Sequence, residues 1–450
     1  VKVVKFGGSS LASAGQLQKV CNIIKADRTR RFVVVSAPGK RNSNDTKVTD
    51  MLIEYYDTYV NEGNTDEICQ KIITRYADMI AELGIAEDGV LTDIQANIES
   101  LRNEPKKDNN HLYDTFLASG ENNNAKLVAA YFRHEGLPAE YVNPKDLGII
   151  VSDEPGNARI LNHSYELIYR WHETNKILVI PGFFGYTEAG DICTFSRGGS
   201  DVSGAIVAAG MKVDLYENFT DVDGIFVAHP GIVHEPEIIE ELTFKEMREL
   251  AYAGFSVLHH EALMPCYKAD IPVVIKNTNN PSAPGTMIRG KRDTEGTPVV
   301  GIASDDGFAS LYISKYLLNR EIGFVRKVLQ VLEEMQISYE HMPSGIDDVS
   351  IIIRETQLVD GKEEELVSRI AKELNPDEVR MTHDLSLIMV VGEGMRQRVG
   401  ATAESASALA RKKINLELIN QGSSEVSIMF GIQSKQESRA IRALYYAFFD

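Results

Sequence analysis

The 450 residues contain no G-x-x-x-x-G-K-[ST] stretch, and no G-x-G-x-x-G follows a strand-like run. The first absence excludes a P-loop; the second argues against a dinucleotide fold. Cysteine is scarce: Cys21, Cys69, Cys193 and Cys266 lie far apart and form no C-x-x-C pair. That spacing fits reduced thiols better than a disulfide frame or a zinc site. His259-His-Glu261 lacks the second histidine of H-E-x-x-H, which argues against metalloprotease chemistry and reads as a helix surface. Basic residues are outnumbered, 47 against 65 acidic, for a net charge of −18. Nucleic-acid binding needs clustered Lys and Arg, so this balance argues against it. No uninterrupted apolar run approaches the roughly 18 residues of a membrane span. The chain opens directly on a strand-like run, so no signal peptide is expected ahead of the fold. The expectation is a soluble, cytoplasmic protein.

What is present is an ordinary globular composition, 43% hydrophobic and 25% charged, with length for about three domains. Val1-Lys-Val-Val-Lys-Phe6 reads as a buried strand, followed by Gly7-Gly-Ser-Ser10 and a helical pattern on Leu17, Val20, Ile23 and Ile24. Strand, glycine turn and helix together aim unpaired backbone N–H groups at an anion, and Lys5 would add a full charge there. The alternative is a tight turn beside a solvated lysine. A second continuous apolar strand, 31–37, is of the kind buried in parallel sheets. Residues 51 to about 103 read as helical throughout, and a further helix, 115–134, carries Ser119-Gly-Glu121. Glycine inside a helix costs about 1 kcal/mol relative to alanine, so that triplet serves packing or a ligand.

Strand-like runs follow at 140–142, 147–151, 177–182 and 213–218, with 271–276 as the last of this part. The alternation to about residue 290 predicts an α/β fold, a three-layer αβα sandwich on a mostly parallel sheet. Ligands in such sheets bind beyond the carboxyl ends of the strands. Phe195-Ser-Arg-Gly-Gly-Ser-Asp201 falls there. Its glycines permit close backbone approach, Ser200 can cap the next helix, and Arg197 offers a planar fork to a carboxylate or phosphate. Thr220-Asp-Val-Asp-Gly224 also follows a strand and is weaker, since Asp/Gly turns are common.

The C-terminal third repeats itself. Ile337-Ser-Tyr-Glu340 recurs as Ile414-Asn-Leu-Glu417, Val349-Ser-Ile351 as Val426-Ser-Ile428, and Gly323 as Gly400, all at an offset of 77 positions. Each copy reads strand, Gly-led helix, strand, strand, helix, as expected for two ferredoxin-like βαββαβ units with sheet edges free to pair. Residues 293–298, rich in Thr, Gly and Pro, are the expected linker.

Taken in order, Lys5-Phe-Gly-Gly-Ser-Ser10, Val34-Val-Ser-Ala37, Ser119-Gly-Glu121, Arg197-Gly-Gly-Ser-Asp201, Thr220-Asp221, Val257-Leu-His259 and Asn277-Thr resemble the aspartokinases of the amino-acid kinase superfamily. The resemblance covers nearly the whole chain and extends to the repeats, which are similar to tandem ACT domains of the lysine-sensitive monofunctional class. It implies a catalytic domain at 1–292, a helical segment at about 50–135 within it, and ACT units at 299–384 and 385–450. The leading strand of the first ACT unit is open to sharing with the second. It also implies ATP with Mg²⁺ as cofactor, L-aspartate as substrate, and phosphorylation of the β-carboxylate. Lys5 and Asp201 would be catalytic, with Lys5, Gly7, Gly8 and Ser9 at the phosphates. Asp201 would orient either Lys5 or the metal. Arg197 would pair with a substrate carboxylate and Glu121 with its α-ammonium; Thr49, Phe183, Gly198, Gly199 and Ser200 would complete that pocket. Thr220, Asp221, Phe226 and Val257 would hold the nucleotide. Gly323, Phe324, Val325, Glu340 and Ser344, with Asp347 and Asp348, would bind an amino-acid effector, lysine first and threonine second. Self-association through the ACT units, as a homodimer or a dimer of dimers, is implied as well. Two positions depart from the family pattern: Gly231 and Ser256 stand where arginine and lysine are frequent. The competing readings are a non-catalytic amino-acid sensor and a kinase of acetylglutamate or glutamate.

Overall fold

The computed structural model describes residues 1–86, 89–106, 109–196, 198–255, 258–259, 261–422 and 426–449. The chain divides into two compact units. The first comprises Val1–Ile225, Ile238–Met247 and Val257–Arg292. The second comprises Phe226–Glu237, Arg248–Ser256 and Asp293–Asp450, so two short segments from the first 292 residues belong with the C-terminal unit.

The first unit is built on strands β1 (Lys2–Phe6), β2 (Arg30–Val35), β3 (Ala139–Tyr141), β4 (Ile177–Pro181), β5 (Phe184–Tyr186), β6 (Ile192–Thr194), β7 (Leu215–Thr220), β8 (Glu241–Thr243), β9 (Val273–Asn277) and β10 (Thr286–Arg289). Apart from the β5–β6 hairpin they form one sheet in the order β3-β4-β2-β1-β7-β9-β10-β8. From β3 to β9 the neighbours run parallel; β10 turns antiparallel to β9, and β8 runs parallel with β10. The core of β1 and β2 is fully buried, which is why β2 reads as a continuous apolar run and β1 as Val3, Val4 and Phe6 interrupted only by Lys5. The helix Ala14–Ala26 buries Leu17, Val20, Ile23 and Ile24, the face its 3.6-residue period marks. The mostly parallel α/β sheet is therefore as the alternation predicts, with β1 in its middle and loop ends beyond it.

Four local expectations are corrected. Residues 147–151 are not a strand: Pro144–Leu147 is a short helix, N-capped by Asn143 and closed by left-handed Gly148. Only single bridges form at Ile150 and Val151; the Asn-Pro start signal outweighs the apolar run. The strand at 271–276 is not the last, since β10 follows it; Thr-Met-Ile-Arg is too short and too polar to stand out. The long helix is Asn109–His134, starting earlier than 115 because its first turns are polar. His259 and Glu261 precede the helix Met264–Ala269 in a non-helical stretch and do not lie on a helix surface.

In the second unit, β11 (Gly301–Ser314), β12 (Asp348–Arg354), β13 (Glu378–Val391), β14 (Leu418–Asn420) and β15 (Ser427–Gln433) form one antiparallel sheet, ordered β12-β11-β13-β15-β14. The leading strands of the two repeats, β11 and β13, pair along their length, from Gly301↔Val391 to Ser314↔Glu378. Gly323 (φ 80°) and Gly400 (φ 99°) occupy the same left-handed position before their helices, Phe324–Glu334 and Ala401–Arg411. Few other residues tolerate that backbone. The expected middle strand of the first repeat is reduced to two bridges, His341↔Ile352 and Ser344↔Val349; Pro343 between them lacks an N–H to donate. Among the described residues no helix is long and apolar enough to cross a membrane.

Candidate active site

The carboxyl ends of β1, β2 and β4 open into a cleft of about 460 Å³ in the first unit. Lys5, Gly7, Gly8, Thr49, Glu121, Phe183, Gly198, Gly199, Ser200 and Asp201 all line it, so most of the expected catalytic and substrate residues share one cavity.

Lys5 lies in register with Asn218 of the neighbouring strand β7, so both side chains leave the sheet on one face. Lys5 Nζ meets Asp201 Oδ1 at 2.6 Å, and Asn218 Nδ2 donates to the same oxygen at 2.8 Å. Beneath them, Tyr216 donates its hydroxyl to the Asp201 carbonyl at 3.2 Å. Burial holds that phenol far above its usual range, so it stays a donor. A buried lysine is thereby fixed by one carboxylate that is itself fixed.

The Gly7 amide donates to the Phe219 carbonyl at 3.2 Å as part of the sheet. Gly8 and Ser9 open the 3-10 turn Gly8–Leu11, where the first N–H groups lack intrahelical partners. Gly39 presses on this turn: a Cβ on it would lie 2.6 Å from the Gly8 carbonyl carbon. Arg75 braces the two loops from the helix Asp66–Leu83. Its guanidinium donates to Ala12 O at 2.6 Å and Gly39 O at 2.8 Å, and pairs with Asp45 at 3.0 Å. The sequence reading missed both Gly39 and Arg75; a buried arginine cannot be told from a surface one by spacing alone.

Tyr113, Asp114, Leu117 and Glu121 line the cleft from one face of the helix Asn109–His134, at the spacing that stacks side chains turn over turn. Gly120 lets this helix approach closely, since a Cβ there would lie 3.0 Å from the Ala37 side chain. The Ser-Gly-Glu triplet therefore serves packing through its glycine and the cleft through its glutamate. Glu121 is 6% exposed, and its Oε2 has no hydrogen-bond partner. Burial pushes its carboxyl up to about 8, opposed by the Ala37 amide. Asp114, also unforeseen, accepts from the Thr194 amide at 2.6 Å and the Gly156 amide at 2.9 Å, and burial raises it too.

Phe183 holds φ at 79°, a conformation bulky residues rarely adopt. Its N–H donates to Ser203 Oγ at 2.9 Å, and its carbonyl accepts from Phe195 at 2.8 Å. Its ring fills the space beside Gly199, where a Cβ would lie 2.4 Å away. Gly198, left-handed at φ 73°, starts the helix Gly199–Met211 and so aims the amides of that helix at the cleft. Strain of this kind costs about 1–3 kcal/mol and gathers at binding sites.

Thr220 ends β7 and Asp221 follows it, and Thr278 donates its amide to the Thr220 carbonyl at 2.9 Å. Asp223 accepts from Asn277 at 2.9 Å and Asn280 at 3.1 Å, and Ser10 meets Thr278 at 2.7 Å. Arg197 and Val257, expected at the substrate and the nucleotide, lie outside the described residues, as does Ser256. Phe226 and Gly231 fall in the segment that belongs to the second unit.

A model of the amino acid kinase family matches residues 1–277, and an ACT domain model matches 388–448. Aspartokinase 3 of Bacillus subtilis (strain 168) is 54% identical over 449 residues, covering 100% of this chain and 99% of that protein. The chain belongs to the aspartokinases. Clostridium acetobutylicum aspartate kinase has the same fold at a TM-score of 0.88 and 38% identity, with 100% of both chains covered. E. coli aspartokinase III, crystallised with aspartate and ADP, shares the fold at a TM-score of 0.74 and 22% identity, again over 100% of both chains.

As an aspartokinase, the chain is a kinase with an ACT regulatory part. In that part Gly323 starts the helix on which Phe324 is buried and Val325 half-buried. Glu340 accepts from the Tyr252 hydroxyl and faces Arg354 at 3.5 Å. Asp347 Oδ1 accepts from the Leu317 amide at 2.9 Å, so this carboxylate caps the turn at 315–318. Asp348 begins β12, and Ser344 bridges to Val349.

Proposed function

We propose that this aspartokinase transfers the γ-phosphoryl of ATP to the β-carboxylate of L-aspartate, with the cleft at Lys5 and Glu121 as its active site. The observation that carries the site assignment is the buried, unpartnered Glu121 oxygen in the cleft that also holds the Lys5–Asp201 pair. An acceptor atom out of reach of water is costly unless a donor arrives. The α-ammonium of an amino acid is such a donor.

A β-carboxylate with a reference pKa near 3.9 is already ionised, so the nucleophile needs no general base. The difficulty is an anion approaching a polyanion, and positive charge placed in advance answers it. Lys5, held by Asp201, meets the transferring phosphoryl together with the amides of Gly8 and Ser9; Gly7, whose amide is taken by the Phe219 carbonyl, offers only close backbone approach. Asp201 would help to hold Mg²⁺, which would neutralise further charge on the phosphates. Arg197 pairs with a substrate carboxylate, while Thr49, Phe183, Gly198, Gly199 and Ser200 shape the pocket. Thr220, Asp221, Phe226 and Val257 hold the nucleotide.

For regulation, the proposed effector is lysine first and threonine second, bound by Gly323, Phe324, Val325, Glu340 and Ser344 with Asp347 and Asp348. The proposed assembly is a homodimer or dimer of dimers through the ACT units, in the cytoplasm. An ADP-release assay with Mg-ATP and a panel of acidic amino acids tests the substrate. Release should depend on L-aspartate and be far weaker with L-glutamate, whose extra methylene misplaces the carboxylate. Equal release with acetylglutamate, and none with aspartate, would overturn the reading.

A further inference from the structure

On the wall of the cleft that carries Asp114, three side chains of metal-binding type converge outside the proposed active site. His111 Nε2 lies 2.7 Å from Asp153 Oδ1, and one ring nitrogen of His111, one carboxylate oxygen of Asp153 and Cys193 Sγ all fall within 4.8 Å of one another. They come from three segments: the helix Asn109–His134, the loop at 152–157 and strand β6. We propose that His111, Asp153 and Cys193 form a site for a borderline divalent cation of the Zn²⁺ type, separate from the magnesium that accompanies ATP.

An imidazole, a carboxylate and a thiolate are a zinc-type donor set, whereas Mg²⁺ and Ca²⁺ select oxygen. Bonds of about 2.0–2.3 Å in a tetrahedral array put ligand atoms roughly 3.3–3.5 Å apart. The His–Asp pair must therefore open slightly, and a pair near the 4.8 Å limit must close by about an ångström. Asp153, whose side chain is 68% exposed, can rotate to adjust its own distances. The thiol proton leaves to solvent on binding, the imidazole keeps its proton on Nδ1, and water fills the fourth position.

The location gives the site a consequence. Asp114 already ties the same three segments, through the amides of Gly156 and Thr194. His111 is one helical turn before Asp114, Asp153 three residues before Gly156, and Cys193 next to Thr194. A cation there would clamp the wall that Asp114 fixes.

The test is titration of the metal-stripped full chain with Co²⁺ in the absence of ATP. The expected result is a single equivalent bound, with an intense near-ultraviolet sulfur-to-cobalt charge-transfer band that Zn²⁺ displaces. Cys193→Ser should abolish the band. Asp153→Asn, at an exposed side chain, should weaken affinity at least about tenfold, and Zn²⁺ should raise the melting temperature of the unaltered chain more than that of this variant. No charge-transfer band, a band that survives Cys193→Ser, or unchanged affinity in Asp153→Asn would overturn the proposal.

Discussion

Aspartate should bind this enzyme with release of a proton. Burial pushes the Glu121 carboxyl up to about 8, so below neutrality the empty cleft holds it mainly as the neutral acid. An α-ammonium pairs with the carboxylate, not the acid, so binding expels the proton. Each pH unit below the folded pKa is then worth about 1.4 kcal/mol, or tenfold in apparent Kd. From pH 6 to pH 8 affinity should rise about fifty-fold in all, then level off. The free enzyme shows the opposite trend. A carboxyl whose pKa is raised from 4.5 to about 8 binds more protons folded than unfolded. Stability is therefore lost as pH rises through that window, by up to a few kcal/mol. Calorimetric titration of aspartate at pH 6.5, in two buffers of different ionisation enthalpy, counts the protons directly. Close to one should leave, and none from Glu121→Gln, which also separates this group from Asp114 in the same cleft. A Kd independent of pH from 6 to 8, with no proton released by the unaltered enzyme, would refute the role given to Glu121.

Lys5→Ala should lower kcat by a factor on the order of 10²–10³, as for loss of a preorganised transition-state cation, with the aspartate KM moved only a few-fold; initial rates decide. Arg75→Met removes the brace between the Gly8 and Gly39 loops and leaves the Ala12 and Gly39 carbonyls without their donor, while Asp45 keeps Arg41; thermal unfolding should show a loss of about 1–3 kcal/mol. Its ATP kinetics should suffer more than its aspartate kinetics, with partial rescue by Arg75→Lys. Lysine should inhibit with a coupling of about 1–3 kcal/mol, and calorimetry should show weaker lysine binding in Glu340→Ala. Equal affinity in that variant would remove the pocket, and no inhibition would remove lysine.

The sheet was legible because β1 and β2 are buried on both faces and carry Val and Phe, interrupted in the core of β1 only by Lys5. The lining of the candidate cleft was legible where chemistry and glycine coincide: Lys5 before Gly7-Gly8, and Gly198-Gly199 before Asp201. What stayed hidden depends on tertiary contact. Asp114 is one polar residue in a polar stretch until the Thr194 and Gly156 amides meet it. Arg75 is one more helix cation until Gly39 and Ala12 close on it. The left-handed backbone of Phe183 has no local signal, since nothing in Gly-Phe-Phe-Gly forecasts an aromatic at φ 79°. The reduced middle strand of the first repeat is hidden differently: its hydrophobic pattern persists while Pro343 removes the ladder.

The central claim is that a β-carboxylate attacks the γ-phosphorus in the cleft at Lys5 and Glu121. Trapping the product with hydroxylamine tests it most directly, because an acyl phosphate yields the hydroxamate of the carboxyl group that was phosphorylated. With Mg-ATP and L-aspartate, the enzyme should give the β-hydroxamate in step with ADP, and Lys5→Ala and Glu121→Gln should give far less. ADP release without hydroxamate, or the α-hydroxamate in place of the β, would contradict it.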